Sequence, residues 1–373
     1  LEQFHAMTGL KINIQKSDIV LTGVSPAHAN MIYHVTGLNR NLSTVSYLCL
    51  PLTTSRITTN HCLPMYERIT ARLNCWTARR LSQAGRLILI KSVIFSMQVY
   101  WARSFVLPIK LIKMIRCAMM KYLWSGKTTG RFIAPIKYAT VEKPLNKGGL
   151  GLINLKQWNK AAFARHIDTL FNCPDSLWAE WSKKKYMNCR GLWNISNQQN
   201  VSWTWRNIHK YKELFLPMIQ MKTNSANNVY FWDDPWLEQG LILRRQLTYS
   251  EIQHTRIHER MLVRDVIHKF QTRYIFTSNQ RVQTLWDKIK SFTALPSSYN
   301  NLVWGKQKGK YRPGLTYEFL MQNNLNQNWR WWKRTWNTDS SIRHNFLLWK
   351  VLNGALLTKS RLDMYGMNVI TSC

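Results

Sequence analysis

Three consecutive amphipathic segments between Met65 and Leu123 constrain this chain more than any other feature. From Met65, the positions Ile69, Leu73 and Trp76 fall on one stripe at helical spacing, with Arg68, Arg72, Arg79 and Arg80 on other faces. Ser82 is placed to cap a second helix, whose apolar positions are Leu87, Ile90, Val93, Ile94, Met97 and Trp101. Pro108 opens a third, with Ile112, Ile115, Met119 and Leu123 inward and Lys110, Lys113, Arg116 and Lys121 outward, and the stretch from Gly126 to Gly130 ends it. Apolar stripes of this period must be buried against one another, so the stretch dictates a layer of packed helices. Its polar faces carry one sign, because Glu67 is the only carboxylate between Leu52 and Thr140.

The same sign dominates the whole chain. Across 373 residues, 52 Lys and Arg stand against 18 Asp and Glu, a formal net charge of +34. Self-repulsion of that size destabilises a compact state, and a polyanion relieves it. Solubility alone needs no such one-sided excess. The expected partner is therefore nucleic acid (RNA, DNA or their hybrid), with an anionic membrane surface as the weaker alternative. No membrane span is expected. The most apolar stretch, Leu87 to Trp101, is broken by Lys91, Ser92, Ser96 and Gln98 and is too short. No basic stretch followed by an apolar run marks a signal peptide. The seven Cys, at 49, 62, 75, 117, 173, 189 and 373, are scattered and contain no CxxC. They read as free thiols of a reducing compartment, nuclear or cytoplasmic.

The chain length suggests two or three domains. Residues 1–52 read as β-rich. In "GLKINIQKSDIVLTG", Leu10, Ile12 and Ile14 alternate with Lys11 and Asn13, a polar turn follows at Gln15 to Asp18, and Ile19 to Leu21 make a second apolar run. That pattern predicts a hairpin. "KPLNKGGLGLINL", Lys143 to Leu155, is a glycine-marked break before a helix from about Trp158, and residues 158–215 are helical in tendency. Asn224 to Leu237 reads as a polar loop with an aromatic strand and makes a domain boundary. Helices are expected at "ERMLVRDVIHKF", at 281–290 and over much of Ile342 to Gly366. Asn301 to Leu320 reads as strand, basic turn, helix. The expected fold class is α+β and predominantly α-helical, divided at 1–55, 56–140, 141–230 and 231–373.

The candidate phosphate-contacting residues are Arg72, Arg79, Arg80, Arg86, Lys91 and Arg103, together with Arg68, all at non-apolar positions of successive helices. Lys11, on the polar side of the first predicted strand, joins them. The 18 Trp are expected mostly in the core, where each indole N–H needs an acceptor. Asp233 and Asp234 in "FWDD" resemble the carboxylate pair of a two-metal site, but Pro235 follows at once and no third carboxylate is evident, so a turn or helix cap is expected. His254 and His258 have i, i+4 spacing without the Glu a zinc hydrolase wants beside the first His. "GGLG", Gly148 to Gly151, lacks the P-loop spacing and reads as a turn with close backbone approach. No catalytic or metal-ligating set emerges.

Several segments, in order, resemble the C-terminal part of the polyprotein of plant LINE-type (non-LTR) retrotransposons, which carries a reverse transcriptase followed by a reverse-transcriptase zinc-binding domain. Gly9, Leu10, Ile12, Asn13, Lys16 and Ser17 are similar to the family's "GLxINxxKS". "YLCLPL", Tyr47 to Leu52, resembles the primer-grip "YLGxPL", with Cys49 where Gly is usual. "LSQAGRLILIKSVIFSMQVYW", ending at Trp101, resembles the family's thumb segment and is the longest match. "KPLNKGGLG" resembles "CxPKxxGGLG", with Glu142 and Leu145 replacing the Cys and Lys. "NKAAFAR", Asn159 to Arg165, and "FWDDPWL" have counterparts, and Arg343 to Gly366 resembles "PKxxFLLWxxxxxxLLTxxRLxxxG" with Arg343 in place of Pro.

The resemblance implies the end of a polymerase palm, a helical thumb, a connector and a zinc-binding region cut off at Cys373. Lys16 would lie near the incoming nucleotide, and Arg72, Arg79, Arg80, Arg86, Lys91 and Arg103 would track the template–primer backbone. The family uses Mg and, in its zinc-binding segment, Zn; the chain as it stands is expected to hold neither and to bind without catalysing. Three further readings stay open: an enzyme completed by another chain, a domesticated RNA-binding protein, and a decayed translation product without selected function. The oligomeric state is left open.

Overall fold

The computed structural model describes all residues except 1, 12, 14–16, 22, 41–44, 54–55, 77–80, 131, 188–189, 197–199, 224–228, 271–279, 292–300, 306–309, 323–334, 337–339, 357, 359–361 and 363–373. The chain is α+β and predominantly helical, and its strands are short and paired in twos.

The three amphipathic segments form the predicted layer. Helix α3 (Leu63–Cys75) buries Met65, Ile69 and Leu73. Ser82 caps α4 (Gln83–Leu89) by accepting from Gly85 N–H at 3.2 Å. A π-helical turn, Ile90–Ile94, joins α4 to α5 (Phe95–Ser104). Helix α6 (Ile109–Ser125) buries Leu111, Ile115, Met119 and Leu123 and stops at Gly126, whose φ of 76° lets its N–H reach the Tyr122 carbonyl. Burial of each such side chain contributes about 1.5–3 kcal/mol, so the apolar stripes are the main reason these helices stand together.

After α6 the chain forms α7 (Tyr138–Glu142), the glycine turn and α8 (Leu155–Phe163), whose N-cap is Asn154. Gly149 N–H donates to Pro144 O at 3.1 Å and Gly151 N–H to Lys143 O at 2.8 Å. A Cβ on Gly149 would overlap the Lys143 carbonyl oxygen, so "GGLG" is the close backbone approach that the sequence suggests.

Side chains from residues 57–162, joined by Phe346, Trp349 and Ala355, make one apolar core. Residues 161–320 make a second. In the second lie α9 (Arg165–Asn172), α10 (Leu177–Ser182), α11 (Trp203–Phe215), α12 (Tyr249–His254), α13 (Val263–Phe270) and α14 (Gln280–Lys290). Helix α15 (Pro313–Gln322) lies across α8, where Tyr317 packs edge-on against Trp158 and Tyr311 OH donates to Ala161 O at 2.6 Å. Helix α16 (Ile342–Leu352) returns to the first core, where Trp349 Nε1 donates to Gly148 O at 2.8 Å and Lys350 Nζ to Gln83 Oε1 at 3.2 Å. The buried Trp meet the expectation of an acceptor for each indole N–H only in part, since Trp124 and Trp193 have none among the described residues. Trp232, Trp236 and Trp304, like Trp349, have acceptors, in Ile257 O, Phe231 O and Asp168 Oδ1.

The N-terminal region departs from expectation. Helix α1 (Glu2–Thr8) precedes residues 9–17, and α2 (Pro26–Thr36) follows β1 (Asp18–Ile19). Strand β1 pairs in parallel with β2 (Asn39–Arg40) across α2, a pairing the sequence pattern does not suggest; of the predicted Leu10–Leu21 hairpin, Ile12, Ile14 and the turn residues Gln15 and Lys16 lie outside the described residues. The start signal was in the sequence: Ser25 accepts from His28 N–H, Pro26 supplies the first turn and Gly37 closes the helix at φ 62°. Helix α2 buries no residue, and Met7, Leu10, Met31 and Val35 are all exposed.

A hairpin does form in "YLCLPL". Strands β3 (Val45–Tyr47) and β4 (Leu50–Leu52) pair antiparallel, and Leu48 and Cys49 turn between them with φ of 48° and 63°. A two-residue turn with both central φ positive favours Gly at its second position, which accounts for the glycine that the resembling pattern has where this chain has Cys49. Tyr100 OH on α5 donates to Leu48 O at 2.9 Å and ties the hairpin tip to the helical layer. The aromatic strand expected in Asn224–Leu237 is reduced, among the described residues, to an isolated antiparallel bridge between Tyr230 and Leu262. Strand β5 (Ile219–Met221) lies just before it and pairs antiparallel with β6 (Leu302–Trp304).

Candidate nucleic-acid interface

The sequence-selected cations end in three kinds of place. Lys11 is exposed beyond α1, Arg72 is exposed on α3 and Arg103 is exposed at the end of α5. Lys16, Arg79 and Arg80 lie outside the described residues. Arg86 and Lys91 are turned inward. The guanidinium of Arg86 donates through Nη1 to Leu123 O at 3.4 Å, in the last turn of α6, where unpaired carbonyls concentrate negative potential. Lys91 is half-buried in the π-turn and lines a cavity of about 150 Å³ with Gln98 and Gly151, and burial holds its pKa below the usual lysine value. The assumption that every non-apolar helix position faces solvent fails for these two.

The charged side chains left exposed on α3 and α6 are all cations apart from Glu67 of α3. Arg68 and Arg72 on α3 and Lys110, Lys113 and Arg116 on α6 are exposed on two helices packed against each other. Arg116 also lies over the Tyr138 ring at 3.6 Å, a cation–π contact that holds the guanidinium in place. Among the described residues, no cation of α3 or α6 takes part in an ion pair.

A second cationic cluster escaped the sequence reading. Arg56, Lys156, Lys160 and Lys210 line a cavity of about 310 Å³ with Trp203 and Tyr211, between the α5–α6 connection, α8 and α11. Asn159 forms part of its wall. Its Oδ1 accepts from Leu107 N–H at 2.8 Å, and its Nδ2 donates to Ala102 O at 3.0 Å and Phe105 O at 2.7 Å. The available signal was helical spacing: Lys156 and Lys160 are i, i+4 on α8, and Trp203, Asn207 and Lys210 share a face of α11. Nothing in spacing alone brings residues 56, 160 and 210 together.

The adjacent carboxylates have structural partners. Asp233 Oδ1 pairs with Arg244 Nε at 2.5 Å, and Asp233 Oδ2 accepts from Asn194 Nδ2 at 3.0 Å. Asp234 is fully buried, and its Oδ2 accepts from Tyr230 N–H at 2.8 Å. The pair sits in a turn, as the following Pro235 suggests.

Burial, reinforced by the neighbouring Asp233, pushes Asp234 up to about 7. Between the ordinary aspartate value and 7 the native state holds a proton that the unfolded chain has lost. This group therefore makes stability fall as pH rises through that window, with the loss complete above about 7. Asp234→Asn keeps an acceptor for Tyr230 N–H and has no charge to bury. Urea midpoints of the two proteins are expected to diverge from pH 4 to about pH 7 in favour of the variant and then to stay apart by a constant amount; curves parallel throughout would contradict the assignment.

The histidine pair is not a helical pair. Helix α12 ends at His254, and His258 lies in the following loop, where its Nδ1 accepts from Arg260 N–H at 3.2 Å. Among the described residues, no three His, Cys, Asp or Glu side chains are grouped to hold a metal. No described helix is long and apolar enough to cross a membrane. The five described cysteines, Cys49, Cys62, Cys75, Cys117 and Cys173, are free.

Comparison with known proteins fits this picture. Residues 311–373, which include α15 and α16, match the family described as zinc-binding in reverse transcriptase. Within the match the described donors include Glu318 and His344, which are not grouped with a third, while Cys373 lies outside the described residues. The described donor set does not fit zinc, which takes four ligands in a structural site. The chain is 26% identical over 191 residues to a protein of Arabidopsis thaliana named "Putative ribonuclease H protein", covering 50% of this chain and 31% of that one. It is 24% identical over 143 residues to an uncharacterized mitochondrial protein of Arabidopsis thaliana, covering 38% of this chain and 93% of that one. The chain thus spans about a third of the first relative's length. Taken with the order of matching segments along the sequence, these similarities place the chain among the proteins related to plant retrotransposon reverse transcriptases.

Proposed function

We propose that this stretch of chain binds nucleic acid for a non-LTR retrotransposon RNA-directed DNA polymerase, tracking the template–primer backbone without supplying the polymerase's carboxylates itself. The observation that carries the reading is the set of exposed cations on the packed helices α3 and α6, where Arg68, Arg72, Lys110 and Lys113 have no ion-pair partner among the described residues. Phosphates are the chemistry that such a face recognises, because each contact releases condensed counterions. The engagement of Asp233 with Arg244, and of Asp234 with the Tyr230 N–H, supports a binding rather than a phosphoryl-transfer role for this chain.

A titration of the 373-residue chain with a fluorescent RNA–DNA hybrid of 20 base pairs tests this. Affinity is expected to fall steeply with salt, and Arg68→Gln with Arg72→Gln should reduce the slope of log K against log salt by about 1–2. Absent binding, or binding indifferent to salt, would overturn the reading.

A further inference from the structure

The cavity walled by the α5–α6 connection, α8 and α11 gathers four cations from three distant stretches of chain, and no carboxylate is among the residues that line it. None of Arg56, Lys156, Lys160 and Lys210 takes part in an ion pair among the described residues. The ammonium groups of Lys160 and Lys210 lie 5.9 and 5.8 Å from the centre of the Tyr211 ring, so both are held about one aromatic ring. Burial lowers the pKa of Lys160, and the nearby charges of Lys156 and Lys210 lower it further, so the cluster repels itself. An anion in the cavity removes that repulsion.

The other side of the cavity is aromatic. The Arg56 guanidinium lies 4.8 Å from the centre of the Trp203 ring, a cation–π pair that a flat group can extend. A free phosphate would satisfy the lysines and leave this pair unused. A nucleotide uses both. The volume, about 310 Å³, is at the small end of the roughly 300–1,000 Å³ of ligand sites. It has room for one nucleotide and none for a duplex.

We infer that this cavity takes one nucleotide of a single-stranded nucleic acid, its phosphate among Lys156, Lys160 and Lys210 and its base stacked on the Arg56–Trp203 pair. The inference rests on the nucleic-acid reading above and adds to the helix-face contact a second one that only a single strand can make.

The test uses the full chain, a fluorescent thymidine hexamer, an abasic hexamer and the 20-base-pair hybrid. The expected result is that Lys160→Gln with Lys210→Gln weakens hexamer binding about 10-fold or more and hybrid binding less than about 3-fold. The abasic hexamer should bind the unmodified chain at least about 5-fold more weakly than the thymidine hexamer. An unchanged hexamer affinity, an equal loss for hexamer and hybrid, or equal affinity for the abasic strand would overturn the cavity assignment while leaving salt-sensitive hybrid binding intact. Binding of neither ligand by the unmodified chain would overturn both readings. Should the double variant lose its thermal transition, photocrosslinking of a 5-iodouracil hexamer to the unmodified chain decides. Adducts at Trp203 or Tyr211 support the site, and adducts confined to other residues sink it.

Discussion

Gly149→Ala is expected to destabilise the protein by about 3 kcal/mol or more, seen as a large drop in the urea midpoint followed by circular dichroism. The position has no positive φ to excuse; the cause is space. A Cβ there would overlap the Lys143 carbonyl oxygen and crowd the Lys143 side chain. Backbone cannot yield as a flexible side chain can, so the turn from Pro144 to Gly151 would have to open. Opening it breaks Gly149 N–H to Pro144 O and Gly151 N–H to Lys143 O. It also shifts the neighbouring Gly148 carbonyl that accepts from Trp349 Nε1, loosening α16 from the first core. Gly314→Ala is a control, since a Cβ at Gly314 meets nothing within 4 Å; it should change the midpoint little. A mild effect at Gly149 would mean that the turn is not packed as described.

Asn159→Ala should cost a comparable amount, about 3–5 kcal/mol, because it removes one side chain and strands three backbone groups. Leu107 N–H loses its acceptor, and the Ala102 and Phe105 carbonyls lose their donor. Leu107 and Ala102 are buried, so water does not replace the lost bonds cheaply; each unsatisfied group costs about 1–3 kcal/mol. Asn159→Asp separates hydrogen bonding from volume. Its carboxylate still accepts from Leu107 N–H but meets two carbonyls with lone pairs. That variant is expected to be destabilised at pH 7 and to recover on acidification, as a protonated oxygen becomes a donor. The measurement is the thermal midpoint of the three proteins at pH 7 and pH 4.5; equal midpoints at pH 7 would contradict the role. Because Asn159 fixes the α5–α6 connection that walls the cationic cavity, the alanine variant should also weaken single-strand binding before it unfolds.

Much of the helical architecture was legible before any coordinates. The stripe Met65, Ile69, Leu73 and the caps Ser82 and Gly126 act over one or two turns, and their residues carry the whole signal. The strand and the helix at the two ends of Asn301 to Leu320 were legible for the same reason, while the basic turn between them falls on residues 306–309, outside the described residues. At the N-terminus the alternation of Leu10, Ile12 and Ile14 predicts a hairpin and says nothing of what the described residues show, a helix set by Ser25–Pro26 and Gly37 and a parallel pairing across it. Alternation alone does not choose a strand's partner.

The candidate interface divides along the same line. That the chain is basic, that α3 and α6 are mainly cationic and that "FWDD" is a turn all followed from residue types within a few positions of each other. Which cations reach solvent did not. Arg86 sits on a polar helix position, yet the end of α6 lies beside it and its carbonyls draw the guanidinium inward. Lys91 falls in a π-turn against Gly151, a contact across 60 residues of chain. The cavity of Arg56, Lys160, Lys210 and Trp203 exists only because α8 and α11 pack beside the α5–α6 connection. Sequence determined the helices and the sign of their surface, since periodicity and charge are local. Tertiary packing alone decided where that charge is concentrated, since it joins residues more than 100 positions apart that share no pattern.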